Sequence, residues 1–327
     1  MPPTDADRRW LAAAAALSAR ARPLSRPNPG VGALVVRDGR IVGRGWTAPG
    51  GRPHAEAQAL AMAGAAAQGA TLHVTLEPCA HQSARGPACA DLVAVSGVAR
   101  VVVGIADPDP RTAGAGMARI AAAGIAVELA DCPASRASLA GYLTRARLGR
   151  PRVTLKLALS LDGCIAMADG RSRWLTGPEA RAHVHALRAR ADAILVGGGT
   201  LRADQPQLDV RLTGLEQLAP ARLVLTRGPA PAGWHALAAV AEIATLDALE
   251  LLVEGGGGAA AAFLAADCVD RLMLYRAPLV IGGGRPGVGD IGLADLAAAH
   301  GRWARSGSLA LGNDCLEVYE RIPCSPV

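Results

Sequence analysis

A histidine, a glutamate two residues after it, and two cysteines in one short loop lie near one another in this chain. PHAEAQAL (Pro53–Leu60) carries His54 and Glu56, and TLEPCAHQSARGPACADL (Thr75–Leu92) carries Cys79 and Cys89. Imidazole nitrogen and thiolate sulfur are zinc donors, and a catalytic zinc keeps three protein ligands and one open position. His54, Cys79 and Cys89 supply such a set and leave Glu56 free. A carboxylate beside a metal-activated water can take its proton and pass one to a leaving amine. The competing reading is a closed structural site, which needs a fourth ligand. His81, two residues after Cys79, is the nearby candidate. An HxE tripeptide or a Pro-Cys pair alone carries little weight. The argument rests on HAE, EPC and the second cysteine in that order.

One His and two Cys on the metal, with a Glu moving protons, is the donor set of the zinc-dependent base deaminases. Their commonest spacing is Cys-x-x-Cys, whereas nine residues separate Cys79 from Cys89. The longer loop, TLEPCAH followed by Arg-Gly-Pro and CADL, resembles the deaminase half of the bifunctional riboflavin-biosynthesis deaminase/reductases. NPGVGALVV (Asn28–Val36) and VARVVVGIADPDPRTAGAG (Val98–Gly116) extend the resemblance on both sides. The family's loop is commonly one residue shorter. The extra residue near Gln82–Arg85 is expected to be absorbed in the loop, because the ligands at both ends are kept. The resemblance implies zinc on His54, Cys79 and Cys89, Glu56 as the catalytic proton carrier, and Asn28 lining the pocket.

The rest of the chain bounds these readings. A length of 327 residues favours two domains of ordinary size. With 51% apolar residues the chain is not disordered. No apolar run approaches the ~18 residues that span a bilayer, and the Ala-rich Leu11–Leu17 reads as part of an amphipathic helix rather than a signal peptide. A cytoplasmic location is expected. Of seven cysteines, only Cys79 and Cys89 have metal-like spacing; Cys132, Cys164, Cys268, Cys315 and Cys324 are scattered and read as free thiols. The net charge of +6 comes from arginine, since Lys156 is the only lysine. Nucleic-acid binding would need a concentrated basic run with interleaved aromatics. Here aromatics are 3% and the arginines are spread, so neither a nucleic-acid nor a membrane partner is expected.

The elements that must position the candidate ligands follow from periodicity and punctuation. A helix is predicted over Asp5–Ala19, then a proline-broken loop holding Asn28. Val31–Val36 and Arg40–Trp46 read as strands joined by a hairpin at Asp38-Gly39. His54 opens a helix to about Ala67, which places His54 and Glu56 at a helix start. Thr71–Leu76 is a strand running into Glu77-Pro78-Cys79, and Cys89 falls in the first turn of the next helix, where the dipole favours thiolate. Strands over Arg100–Ile105 and Ile125–Leu129 flank a helix over Gly116–Ala123. Alternating strands and helices give a layered α/β domain; the resemblance makes it a cytidine-deaminase-like three-layer α/β/α domain over 1–149.

After the Gly-Arg-Pro boundary at Leu148–Arg152, a second α/β pattern covers 150–327. Val153–Ser160 reads as a buried strand and Ala180–Arg190 as a helix. Glu254-Gly255-Gly256-Gly257-Gly258 before an Ala-rich helix is the strand–turn–helix arrangement that brings N–H groups to a phosphate, weak by itself. These segments resemble the family's reductase half, which has a dihydrofolate-reductase-like fold and uses NADPH. The resemblance implies NADP contacts at Ala158, Trp174, Thr200, Asp204, Gly256, Gly257 and Gly258. It implies contacts to a phosphorylated pyrimidine substrate at Ser172, Arg188, Leu208, Arg211 and Glu254, in a homo-oligomer. Two departures stand out. Cys164 replaces the usual Lys or Arg in LDGCIA, and only 42 residues lie between Arg211 and Glu254. That shortening predicts the loss of at least a strand and a helix, and it makes a deaminase with a non-catalytic reductase-like half the alternative.

Overall fold

The computed structural model describes residues 2–322; Cys324 lies outside them. The chain falls into two compact units that divide after Gly149.

The first unit runs α1 (Asp5–Ser18), β1 (Gly32–Arg37), β2 (Arg40–Trp46), α2 (Ala55–Ala63), β3 (Thr71–Leu76) and α3 (Cys89–Ala94). It continues with β4 (Arg100–Ile105), α4 (Ala115–Ala122), β5 (Ala126–Leu129), α5 (Pro133–Ser138) and α6 (Ala140–Leu148). Its sheet has the order β2-β1-β3-β4-β5. The β1–β2 and β1–β3 pairs are antiparallel, and β3–β4–β5 are parallel. Alternation along the strands separates two faces. Ala33, Val35, Leu72, Val74, Val101 and Val103 pack with Ala55, Ala59, Val93 and Ile120 of α2, α3 and α4. Leu34, Val36 and Val102 point the other way, toward α1 and α5. The result is the three-layer α/β/α arrangement expected from the cytidine-deaminase-like reading. Asp38 and Gly39 take positive φ at the hairpin, as a tight turn of this kind requires. The helix after His54 is shorter than expected. It ends at Ala63, and Gly64–Ala67 is a 3-10 turn.

Helix α2 lies directly on β2 because Gly43 and Gly45 carry no side chain. A methyl group on Gly45 would fall 2.2 Å from the carbonyl oxygen of Ala55, the residue between His54 and Glu56. On the opposite face, Asp7 ties α1 to the sheet. Its carboxylate accepts from Arg100 Nη1 and Nη2 at 2.8 and 2.9 Å and lies 2.9 Å from His73 Nε2, while closing a capping box with Thr4.

The second unit runs β6 (Arg152–Leu159), β7 (Cys164–Ala166), α7 (Pro178–Arg188), β8 (Ala193–Gly197), α8 (Gly198–Asp204), β9 (Ala221–Leu225) and β10 (His235–Leu237). It ends with β11 (Glu250–Val253), α9 (Gly257–Ala265), β12 (Arg271–Arg276), β13 (Arg285–Pro286), β14 (Trp303–Leu311) and β15 (Asp314–Arg321). Eight strands form one sheet in the order β10-β9-β8-β11-β6-β12-β15-β14. It is parallel from β10 to β12 and antiparallel at β15 and β14. Parallel strands must be covered on both faces, and Val153, Leu155, Leu195, Leu251, Val253 and Phe263 build the larger of the cores. Between Arg211 and Glu254 the chain keeps β9, β10 and β11 but, among the described residues, only 3-10 turns between them. No described helix is long and apolar enough to cross a membrane.

Two predictions follow from this packing. Gly45→Ala must push α2 off the sheet, so it should lower the melting temperature by several degrees, at a cost of about 1–3 kcal/mol. Zinc content per chain, read by elemental analysis, should drop with it. The second concerns acid. Burial opposes ionisation of Asp7, but Arg100, Thr4 and His73 outweigh it and hold its carboxyl far below the usual range. A depressed carboxylate contributes stability that is present above its unfolded value, about 4, and lost as pH falls below it. Burial also lowers the His73 pKa, so its protonation acts in the same direction below its unfolded value of about 6.5. Asp7→Asn should therefore lower stability at neutral pH, and its denaturation midpoint should fall less steeply than wild type between about pH 4 and pH 2.

Candidate zinc centre and nucleotide cleft

His54 is the N-cap residue of α2 and makes no capping bond with its side chain, so its imidazole is free to point away from the helix. Glu56 follows in the first turn and is 3% exposed. Cys79 ends the segment after β3, and Cys89 is the first residue of α3; both are buried. The three candidate ligand atoms lie within 4.8 Å of one another. His54 Nδ1 is 3.2 Å from Cys89 Sγ and 3.6 Å from Cys79 Sγ, and the Cys89 N–H donates to Cys79 Sγ at 3.3 Å. His81 does not join them: among the described residues the cluster has three members. That is the donor set of a catalytic zinc rather than of a closed structural one. The one-residue-longer loop leaves both cysteines in place.

The electrostatics suit a cation. A hydrogen bond from Cys89 drives the Cys79 thiol down, and that contact together with burial pushes the Cys89 thiol up. Two adjacent thiols cannot both ionise unless a cation shares them. Burial opposes protonation of His54, yet its contacts with Cys79 and Glu56 raise its pKa. Burial raises the Glu56 carboxyl to about 6, against the pull of His54. A carboxyl near neutrality is suited to taking up and releasing protons.

Asn28 packs on the turn that precedes His54. A methyl group on Gly51, whose φ is +87°, would overlap Asn28 Nδ2 at 1.6 Å, so only glycine lets that amide lie over the 49–51 turn. Sequence reasoning missed Glu77. It is 2% exposed and accepts four backbone N–H bonds, from Asp107 (3.2 Å), Gly114 (3.0 Å), Gly116 (3.0 Å) and Met117 (3.2 Å). The N-cap of α4 is Gly114, which has no capping side chain. Glu77 caps that helix from a distance and fastens the Asp107–Pro110 turn beneath the EPC segment. The signal was present as a charged residue closing an apolar strand.

In the second unit, Ala158, Thr200, Glu254 and Gly256–Gly258 stand at or just past the C-terminal ends of the parallel strands β6, β8 and β11, where α/β sheets bind ligands. The Gly256 N–H donates to Thr200 Oγ1 at 3.1 Å, which joins the turn after β11 to the turn after β8. Methyl groups on Gly199 or Gly258 would face open space, and Gly256, the N-cap of α9, offers no side chain to the free N–H groups behind it. Such a cradle fits a diphosphate. Ala158 sits on β6, half-buried, and Asp204 ends α8 with its carbonyl accepting from Arg173 at 2.7 Å. Trp174 is exposed, stacked by Arg181 at 5.0 Å, so it is not core packing. Ser172 is half-buried nearby in sequence.

Arg188 donates to Glu254 in two places, at 2.7 and 3.0 Å, and to the Asp209 carbonyl at 2.9 Å. Lys156 Nζ lies 3.7 Å from Glu254 and over the ring of Tyr275, whose hydroxyl meets His183 Nδ1 at 2.7 Å. Burial lowers the Lys156 pKa against the pull of Glu254; burial opposes ionisation of Glu254, but Lys156 and Arg188 hold its pKa below the usual value. Lys156 was legible as the only lysine, placed inside an apolar strand, but was given no role. Arg211 is exposed and pairs with Asp209 at 3.0 Å. The Leu208 side chain is 3% exposed and packs with Ala191, Ile194, Val196 and Leu252, which leaves its backbone as the part that can face a ligand.

This is a zinc-binding deaminase domain joined to a reductase domain. The model for the cytidine and deoxycytidylate deaminase zinc-binding region matches residues 4–105, and that for the RibD C-terminal domain matches residues 151–232 and 232–316. The riboflavin biosynthesis protein RibD of Aquifex aeolicus is 35% identical over 89% of this chain and 92% of its own length, and that of Mycobacterium tuberculosis (strain H37Rv) is 39% identical over 89% and 90%. The alignment with RibD of Escherichia coli, at 47% identity, spans 64% of this chain and 58% of that relative. The Acinetobacter baumannii RibD structure superimposes with a TM-score of 0.86 at 33% identity, covering 97% of this chain and 99% of that one. The chain belongs to the RibD family of bifunctional riboflavin-biosynthesis deaminase/reductases.

Glu77→Gln keeps the shape but turns an amide NH2 toward backbone donors. It should destabilise the first unit by about 2–4 kcal/mol in a denaturant titration and weaken zinc retention against a chelator.

Proposed function

We propose that this protein carries out two successive steps of riboflavin synthesis. The first is hydrolytic deamination of 2,5-diamino-6-ribosylamino-4(3H)-pyrimidinone 5′-phosphate. The second is NADPH-dependent reduction of the ribosyl chain to ribityl. The observation that carries the first step is the meeting of His54, Cys79 and Cys89 beside a buried, non-ligating Glu56. Bound zinc supplies Lewis acidity that makes water a usable nucleophile near neutral pH. Glu56 accepts a proton from the attacking water and delivers one to the departing ammonia, so it ends as it began. Asn28 orients the pyrimidine. His54, Cys79 and Cys89 hold the metal and take no proton in the cycle.

Bound in the second unit, NADPH would supply the hydride. Thr200 and the Gly256–Gly258 turn cradle its diphosphate, and Ala158, Trp174 and Asp204 border the cofactor. Arg188 and Arg211 meet the substrate phosphate, with Ser172, the Leu208 backbone and Glu254 completing the substrate side. Arg188 already lies in a bidentate pair with Glu254, so it is held in place before substrate arrives. A cytoplasmic homo-oligomer remains part of this reading, supported only by the family resemblance.

Chelation should abolish ammonia release from the diamino substrate, and added zinc should restore it. NADPH oxidation with the already deaminated ribosylaminouracil phosphate should survive chelation. Glu56→Gln should retain zinc yet lose at least ~10²-fold in deamination rate. Arg188→Ala should abolish NADPH oxidation at substrate concentrations that saturate wild type. Folded protein that releases ammonia but oxidises no NADPH would demote the second unit to a non-catalytic domain.

A further inference from the structure

One turn before Arg188 on α7, His185 turns its ring toward the segment that ends in Arg211. Its Nδ1 lies 3.1 Å from the Asp209 carbonyl oxygen and 3.3 Å from the Arg211 backbone nitrogen. When Nδ1 carries the proton it can donate to the carbonyl; when it does not, it can accept from the N–H. Either bond ties the ring to the same turn. Arg188 Nη1 donates to the same Asp209 carbonyl at 2.9 Å. Two side chains one helical turn apart therefore grip one short stretch of backbone. That stretch needs holding. Leu208 has a φ of +52°, a left-handed conformation that a leucine rarely takes. Its buried side chain anchors the start of the turn in the core. At the other end Arg211 is exposed, with its guanidinium on the Asp209 carboxylate at 3.0 Å.

Burial, and after it the Arg188 cation, lowers the His185 pKa, so near neutrality the ring is an uncharged tether and not a third cation. We propose that His185 is a positioning residue for the reduction: through Nδ1 it fixes the Asp209–Arg211 backbone, and so aims Arg211, beside Arg188, at the substrate phosphate. The proposal rests on the reading that these two arginines meet that phosphate, and it adds a residue that need not touch the ligand. Without the tether, Arg211 keeps its charge and its Asp209 partner but loses its fixed direction, and a bond that depends on direction is weakened.

The test follows NADPH oxidation by the full chain with the ribosylaminouracil phosphate and with the same compound lacking its phosphate. With the phosphorylated compound, His185→Ala should raise KM about five- to tenfold and move kcat less than about twofold. His185→Asn places an amide where Nδ1 stands, able to donate or accept, and should recover most of the loss. His185→Gln places its amide where Nε2 stands and should behave like the alanine variant. The Asn–Gln contrast decides the matter even if His185→Ala does not fold, and the two should melt alike. Removing the phosphate should lower wild-type kcat/KM at least about tenfold, and with that compound His185→Gln should differ from wild type by less than about twofold. If the phosphate matters to wild type but the Asn and Gln variants behave alike, or the loss falls equally on both compounds, the positioning role is overturned and the arginine reading stands. If wild type does not distinguish the two compounds, or oxidises no NADPH with either, both are overturned.

Discussion

Two cysteine thiols and an imidazole packed within 4.8 Å are stable as a set only when a cation shares them. Their mutual contact favours the thiolate at Cys79 and the thiol at Cys89, and Cys79 and Glu56 favour the charged form of His54 against burial. The first unit is arranged to hold that set together. Gly43 and Gly45 let α2 lie on β2 and fix the start of the helix that bears His54. Glu77 gathers four N–H groups beneath the segment that bears Cys79. Cys89 opens α3, where its own N–H donates to the Cys79 sulfur. Three elements meet at one point, each held there by a different interaction.

The second unit solves a different problem with a parallel sheet. Its ligands must be met at strand ends, because the strands themselves are covered on both faces. The turns after β8 and β11 are joined by Thr200, and the charged cluster of Lys156, Arg188 and Glu254 is buried between β6, β11 and α7. A buried charged cluster costs desolvation and is retained only if fully paired. Here Glu254 pairs with Arg188 and faces Lys156, Arg188 also reaches Asp209, and burial lowers the Lys156 pKa, which lessens the positive charge left to be answered.

Much of this was legible in the sequence, because residue type and order carry chemistry. His54, Cys79 and Cys89 stood out as a candidate donor set by residue type and order, and they come within 4.8 Å of one another; the hairpin at Asp38-Gly39 was legible from its turn residues. What could not be read depended on long-range contacts. Glu77 looks like any strand-end glutamate until the 107–117 segment folds over it. Leu208 matched a substrate position by resemblance, and only the fold shows that its side chain packs in the core. The shortened segment suggested loss of a strand and a helix. It retains β9 and β10 without a described α-helix, since two short parallel strands suffice to extend the sheet edge. Helix ends were off by two to four residues, at Ala63 and Pro178, where a glycine and a proline shift the caps.

The central claim is that three residues, and not four, hold a metal in the first unit. It is tested most directly by measuring zinc per chain in purified wild type, Cys89→Ser and His81→Ala, each checked for folding. The account predicts about one zinc in wild type, loss in Cys89→Ser, and full retention in His81→Ala. Loss of zinc in folded His81→Ala would make the site closed and structural. Retention in Cys89→Ser would remove Cys89 from the ligand set. Either result would contradict the account.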